Sequence, residues 1–446
     1  MSELFRRSTG FPRERRCRAR GRRQGAGLLF AVLGLAIGAE AQTLARPGWS
    51  GSGMTAERWW PHAVLCEVEP GSLADHGTAA GNSALHRLSI HLDDLQTLGI
   101  DAVLLRNLEV EGEPARSSSV AAKGASPQAV EMDPRFGTLD EFDDLVRDAV
   151  RHGMRVLVEL RPGAHGANLT DDARFWLNRG VTGISLSRVP LERDDADAIR
   201  GLRGVLRGYV GERVLIAAKT TKATNVSAQV DASSAHAGVP GAAREEAAAR
   251  PNQPDLSRIS LAAPDAGAAA MRTSLERARL MLGARGPVPL LSADEHAQNP
   301  AVARLLATSL LGSSGAILLR ADDLDLQHAS DGAGQQSSVF AWYRLWSGLH
   351  RGNAAMRSGP ETLLDHDAEG ALVWVRQSRG GGAPIVTISN VTGQPLRLSL
   401  VADVERLHLR GSFLRTLARS DGGMGAMPLR EIVLPPFAVY AGELSR

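Results

Sequence analysis

The chain has 446 residues, 43 % apolar and 22 % charged, the composition of an ordinary globular protein with room for one large domain and a smaller one. Its net charge of +2 averages two unlike parts, because residues 1–26 carry nine arginines against Glu3 and Glu14 while the remainder is mildly acidic. Beyond residue 26 there is no basic stretch of the phosphate-tracking kind, so nucleic acid is not expected as a partner.

The basic stretch runs into an apolar segment, Gly27 to Gly38, followed by Ala39-Glu40-Ala41. A positive region, about a dozen apolar residues and a small-residue cleavage site are the parts of a secretory signal. A membrane span needs about 20 apolar residues. A signal peptide over 1–41 and an exported product, periplasmic or secreted, are therefore expected. The alternative is an uncleaved segment, 27–41, that anchors the chain in a membrane. Cys17 would leave with the signal, and Cys66, in an apolar run, is expected to be buried and structural.

A polar lead-in over 42–58 precedes an alternation of short apolar runs with amphipathic, helix-length stretches. The runs are Ala63–Val68, Ala102–Leu105, Arg155–Leu160, Gly183–Leu186, Arg213–Ala217, Val288–Leu291 and Ala316–Leu319, with Leu256–Leu261 as a weaker eighth. Leu85, Leu88, Leu92, Leu95 and Leu98 mark one helical face. Leu139, Phe142, Leu145, Val146 and Ala149 mark another, opened by Thr138 with Glu141 three residues on, a capping box. Repeated strand–helix alternation predicts a parallel sheet closed as a TIM (β/α)8 barrel over 59–355. Residues 220–255, rich in Ala, Ser, Thr, Gly and Pro, form a low-complexity excursion between strands five and six. After the last barrel helix, Ala371–Arg376, Pro384–Ser389, Leu396–Leu400 and Arg430–Leu434 read as short strands of a C-terminal antiparallel β domain, sandwich-like, over 359–446.

Several blocks narrow the comparison. They are Trp59-Trp60, Gly99-Ile100-Asp101-Ala102-Val103, Asp133-Pro134-Arg135-Phe136-Gly137-Thr138 with Phe142, and His152-Gly153-Met154-Arg155-Val156-Leu157-Val158. Phe175-Trp176-Leu177 and Gly180-Val181-Thr182-Gly183 follow. In this order and spacing the chain resembles glycoside hydrolase family 13, the α-amylase family, over about 59–350. The resemblance implies a retaining mechanism at the C-terminal mouth of the barrel, in which one carboxylate attacks the anomeric carbon and a second protonates the leaving oxygen.

At the positions the resemblance assigns to that chemistry, the residues differ. Strand four carries Ser185 where the family has Arg and Ser187 where it has the nucleophilic Asp; strand five ends in Ala218 instead of the acid Glu. Strand three ends in Glu159-Leu160-Arg161, without the family's Asn and His. After strand seven stands Ala293-Asp294-Glu295, where Glu295 could mimic the transition-state-stabilising Asp. The aromatic residue expected before Asp133 falls at Ala129. A serine without an activating base is a poor nucleophile at an anomeric centre, and alanine cannot donate a proton. The short stretch between strand three and the next helix also lacks the family's usual insertion. In that respect the chain is partly similar to the heavy-chain ectodomains of heteromeric amino-acid transporters, which act as partners rather than enzymes.

Glu159, Asp294, Glu295 and His296 form a candidate binding pocket at the mouth, set against the plainer reading of solvated strand-end polar residues. Asp322-Asp323 matches a family acidic position and reads as structural. His165 reads as a surface-loop residue, while His86, His91, His152 and His350 lie on helices without metal-ligand spacing, so no metal and no cofactor are expected. Asn168, Asn225 and Asn390 open formal glycosylation sequons. The expected function is that of an inactive hydrolase-like module, a pseudoenzyme, bound to an α-glucan, another carbohydrate or a protein, as in a membrane complex. The alternative is an active retaining hydrolase or transglycosidase with displaced carboxylates.

Overall fold

A computed structural model of the chain describes residues 58–69, 83–109, 132–161, 169–187, 195–218, 253–283, 286–294, 296–297, 299–324, 326, 338–364, 366–378, 380–423 and 425–446. The signal or anchor segment, the lead-in up to residue 57, Ala129, His165, Asn168, Asn225, Glu295 and the excursion from 220 to 252 lie outside the described residues.

The apolar runs form strands β1 (Val64–Val68), β2 (Ala102–Leu105), β3 (Arg155–Leu160), β4 (Gly183–Leu186), β5 (Val214–Ala218), β6 (Leu256–Leu261), β7 (Val288–Ala293) and β8 (Ala316–Arg320). They close a parallel barrel in chain order, with β8 returning to β1 through the pairings Val64 with Ile317 and Glu67 with Arg320. The weak eighth run is β6, whose polar residues Ser257, Arg258 and Ser260 dilute its apolar signal. Because side chains alternate across a strand, one parity packs against the helices while the other fills the barrel. The filling set includes Leu65, Leu104, Leu157, Ile216, Leu290 and Leu318, joined by Trp60 from the turn before β1. Cys66 belongs to the outer parity, fully buried, and burial pushes its thiol up, with the Glu67 charge adding to the effect.

Among the described residues, the helices that follow the strands or lead into them are α1 (Ala84–Ile90), α2 (Leu92–Leu98), α3 (Leu139–Arg151), α4 (Leu169–Asn178), α5 (Asp195–Arg207), α6 (Gly267–Gly283), α7 (Pro300–Leu311) and α8 (Val339–Gly352). The leucines 85 to 98 share one buried face as expected, but the backbone breaks at His91 (φ −92°, ψ 9°) into two helices. There the imidazole Nδ1 lies 3.0 Å from Asp94 Oδ2, at the start of the second helix.

The Asp133–Thr138 block is an architectural joint. Thr138 caps α3 in a full capping box with Glu141, whose carboxylate also accepts from Ser83 Oγ at 2.8 Å, the residue capping α1. Phe136 is fully buried. Gly137 has φ +124°, and a Cβ there would lie 2.3 Å from the Glu141 carboxylate, so glycine is required for the two caps to share one carboxylate. Asp133 accepts from Arg135 Nε at 2.9 Å, and that hydrogen bond holds its carboxyl below the usual range.

After α9 (Ala354–Ser358) the chain builds β9 (Glu361–Leu364), β10 (Ala371–Arg376), β11 (Ile385–Asn390), β12 (Leu396–Leu398), α10 (Val401–Arg406), β13 (Phe413–Arg419), β14 (Met427–Pro428), β15 (Ile432–Leu434) and β16 (Val439–Ser445). Six strands form one antiparallel sheet in the order β14-β13-β16-β11-β10-β9, and β12 pairs with β15 in a second, two-stranded sheet. Leu396–Leu400 is shortened because Leu400 turns the chain into α10. One face of the large sheet buries Val373, Val375, Val386 and Ile388 with the small sheet. Its other face presents Leu372, Trp374 and Ile385 to the core shared with the barrel helices. There the fully buried Arg376 donates to Gly312 O at 3.1 Å and lies 3.4 Å from Glu361, while Trp374 Nε1 donates to Gly312 O at 3.3 Å. The described residues from Arg58 to Arg446 thus belong to one compact unit.

Candidate functional site

Where the inward parity reaches the C-terminal ends of the strands, it changes from apolar to charged. Glu67 follows Leu65 on β1, Arg106 follows Leu104 at the end of β2, Glu159 follows Leu157 on β3, and Arg258 follows Leu256 on β6. Charged groups this deep need partners, since an uncompensated buried charge is strongly unfavourable. Arg258 donates Nη1 to Glu67 Oε1 at 2.9 Å and Nη2 to Oε2 at 3.1 Å, a two-pronged fork, and Nε to Ser292 Oγ at 3.0 Å. Arg106 Nε lies 2.9 Å from Glu67 Oε1 and 2.8 Å from Glu159 Oε2, and its Nη1 donates to Glu69 at 2.8 Å. The Glu67 and Glu159 side chains are only 3 % and 4 % exposed. Burial works against the Arg106 charge, but Glu67, Glu159 and Glu69 outweigh it and raise its pKa.

Both Glu67 and Glu159 therefore touch the same nitrogen, and the space between the two carboxylates is occupied by a guanidinium. A retaining glycosidase works with two carboxylates about 5–5.5 Å apart that are free to meet the sugar, whereas these two are both engaged by one guanidinium. On neighbouring β4, Ser185 pairs with Glu159 across the strands and is buried, while Ser187 N donates to Leu160 O at 2.9 Å. Ala218 ends β5 with its backbone paired to Arg258.

The other described candidates lie at the edge of this network or beyond it. Asp294, just past β7, accepts from Ser260 Oγ and lies 4.0 Å from Arg258, at the network's edge. His296 is 53 % exposed and is bracketed by Asp322 (Nε2 to Oδ2, 3.1 Å) and Asp323 (Nδ1 to Oδ1, 3.2 Å), with Arg320 Nη2 at 2.8 Å. The Asp322–Asp323 pair thus holds His296 in place. Of the expected set Glu159, Asp294, Glu295 and His296, the three described residues are divided, with Glu159 in the mouth and Asp294 and His296 on its rim. Glu67, Arg106 and Arg258 were missed from the sequence, although strand parity would have found them. Among the described residues no group of three or more His, Cys, Asp or Glu side chains could hold a metal ion, and no helix is long and apolar enough to cross a membrane. His350 is buried with Nδ1 2.8 Å from Leu311 O. Asn390 has its side-chain amide turned inward, donating to Gln394 O and Pro435 O.

The fold is a closed eight-stranded parallel barrel followed by an antiparallel β domain, and its mouth carries a charge-paired network in place of free carboxylates. The chain resembles α-amylase-family enzymes and, in part, amino acid transporter heavy chains. It is 34 % identical over 102 residues to the trehalose-6-phosphate hydrolase of Escherichia coli, covering 23 % of this chain and 17 % of that protein. It is 26 % identical over 181 residues to the amino acid transporter heavy chain SLC3A2 of Oryctolagus cuniculus, 37 % of this chain and 32 % of that one. The chain thus matches less than a third of the length of these curated relatives. Among solved structures, a mutant of MutB in complex with glucose aligns with a TM-score of 0.59 at 13 % identity, over 87 % of this chain and all of that one. The α-glucosyl transfer enzyme XgtA aligns with a TM-score of 0.58 at 17 % identity, over 87 % of this chain and 99 % of that one. No family model matches the chain.

Proposed function

We propose that this chain is an exported, non-hydrolytic carbohydrate-binding protein built on an α-amylase-like barrel. The observation that carries the reading is the Arg106 guanidinium lodged between Glu67 and Glu159, the two buried carboxylates that face each other in the mouth. Ser185, Ser187 and Ala218 stand where the family's chemistry calls for Arg, Asp and Glu. General acid–base assistance alone contributes about 10²–10⁴-fold, and a nucleophile contributes separately. A mouth in which both roles are unfilled has no route to useful turnover. The carbohydrate context is supported by the relatives, a trehalose-6-phosphate hydrolase and a probable alpha-glucosidase of Rhizobium meliloti among them. Export is supported by the n-region, apolar segment and Ala39-Glu40-Ala41 of the leader.

The test is hydrolysis of aryl α-glucosides and short malto-oligosaccharides by the purified protein, with Glu159→Ala and Glu295→Ala as controls. Maltose binding is followed in parallel by calorimetry. Saturable binding without turnover is expected. Turnover that disappears in either variant would overturn the reading and make the displaced carboxylates an acid–base pair. A second reading, assembly with a membrane protein, is favoured by the heavy-chain match, which at 181 residues is longer than the 102-residue match to the trehalose-6-phosphate hydrolase. It predicts co-purification with a membrane partner and no maltose binding.

A further inference from the structure

We propose that this protein binds a neutral sugar ring outside the barrel mouth, in a cavity of about 640 Å³ between the ends of β6 and β7 and the C-terminal domain, with Phe437 as its stacking wall. This assignment rests on the reading above that the chain recognises carbohydrate, and it moves the binding site from the mouth to the rim. The volume falls within the range of about 300–1,000 Å³ usual for small-molecule sites.

The floor is apolar and comes from three elements: Leu261 of β6, Ala293 of β7 and Leu306 of α7, with Val391 facing them from the C-terminal domain. All four are buried. The polar groups Asp265, Asp294, His296 and Asn299 also line the cavity, and none of its described lining residues is a lysine or arginine. Asp265, His296 and Asn299 are exposed, so the polar edge is at the rim. An apolar floor with an acceptor-rich, anionic edge suits a ligand with a CH face and outward hydroxyl donors. It disfavours phosphates and carboxylates.

The wall is held in place before any ligand arrives. Asn390, 0 % exposed, ties together the two loops that form it. Its Nδ2 donates to Gln394 O at 2.7 Å and Pro435 O at 2.8 Å. Its Oδ1 accepts from Thr392 N at 3.0 Å and Thr392 Oγ1 at 2.8 Å. Phe437 N then donates to Thr392 O at 3.0 Å. Phe437 itself has φ +53°, a left-handed backbone that a bulky side chain rarely keeps. Strained conformations of this kind persist where surrounding contacts over-determine them, and they gather at ligand clamps. The clamp fixes Phe437 at the cavity wall with little ordering left to be done on binding. Asp294 joins this cavity to the mouth, since Arg258 of the network lies 4.0 Å from its carboxylate.

The experiment is calorimetric titration of the full chain with methyl α-D-glucopyranoside, maltose and glucose 6-phosphate, for the natural protein and for Phe437→Gly, Asp265→Ala and Arg106→Gln. Glycine fits φ +53°, so Phe437→Gly removes the ring while keeping the backbone, and a thermal melt confirms its fold. The two neutral sugars are expected to bind and glucose 6-phosphate to bind more weakly. Phe437→Gly should weaken sugar binding by about tenfold or more. Asp265→Ala, on the exposed rim, should weaken it by about threefold or more through one lost charged hydrogen bond, and gives a second readout should Phe437→Gly fail to fold. Unchanged affinity in Asp265→Ala and in a folded Phe437→Gly, or loss confined to Arg106→Gln, would place the sugar elsewhere and overturn the rim site while leaving the carbohydrate reading intact. No binding of either neutral sugar to the natural protein would overturn both.

Discussion

Arg106→Ala is the most informative single change. It empties the interval between Glu67 and Glu159 and leaves two carboxylates, 3 % and 4 % exposed, beside one another. Glu67 keeps the Arg258 fork, so the burden falls on Glu159. Breaking a buried ion pair from one side costs about 3–5 kcal/mol, because the remaining charge is left uncompensated. Arg106 is 23 % exposed, so water replaces part of what is lost, and a discounted cost of about 2–3 kcal/mol is expected. Urea unfolding of the natural protein, Arg106→Ala and Arg106→Ala/Glu159→Gln measures this. The double variant should recover at least half of the loss, since Gln needs no counter-charge. A loss within about 0.5 kcal/mol for Arg106→Ala, the range of an ordinary surface substitution, would refute the role given to the network. Hydrolysis of an aryl α-glucoside should stay absent in both variants. Turnover gained by opening the interval would show that the guanidinium alone blocks a competent pair.

Two further changes test the frame. Burial, with the Arg376 charge adding to it, lowers His350 from 6.5 to about 4 in the folded protein. The unfolded chain therefore binds the extra proton first on acidification, and stability present above pH 6.5 is lost as pH falls towards 4, by up to about 3 kcal/mol. His350→Gln should flatten that slope in denaturant unfolding at pH 7 and pH 4.5, and an unchanged slope would assign the acid sensitivity elsewhere. Gly137→Ala places a Cβ 2.3 Å from the Glu141 carboxylate at φ +124°, so it should cost about 2 kcal/mol or more and lower Tm, whereas Asp140→Ala, on the exposed side of the same helix, should change little.

The barrel was legible because its signals are local and repeated. Most strands are short apolar runs, amphipathic stretches lie between them, and Thr138 with Glu141 announces a helix start, while β6 is the run diluted by polar residues. The C-terminal domain was legible only in part, for reasons particular to its strands. In β13, Phe413, Leu414, Leu417 and Ala418 recur at a spacing closer to helical than alternating, because a bulge between Thr416 and Ala418 shifts the register. In β16, Gly442 interrupts the β pattern, yet a Cβ there would lie 2.9 Å from both Arg415 O and Leu414 Cβ. Strand β9 opens with Glu361, a residue that seldom begins a buried strand. Its carboxylate is accommodated because Ser314 N and Oγ donate to it at 3.0 and 3.1 Å and Arg376 lies beside it.

The mouth shows how far substitutions alone carry a functional argument. Ser185, Ser187 and Ala218 stand at positions that the resemblance assigns to the family's chemistry, but they say nothing of what occupies the space. Strand parity does. Once Leu65, Leu157 and Leu256 are placed inside the barrel, Glu67, Glu159 and Arg258, two residues on, must point the same way. Arg106, two residues past the inward Leu104, is turned to the same place, where it touches both acids. The placement of these four groups at the mouth could therefore be derived from register without coordinates. An active retaining site must keep one carboxylate free to attack and another free to protonate. On the reading proposed above, a mouth that gives each buried acid a guanidinium leaves neither acid free for that chemistry, and recognition falls to surfaces outside it.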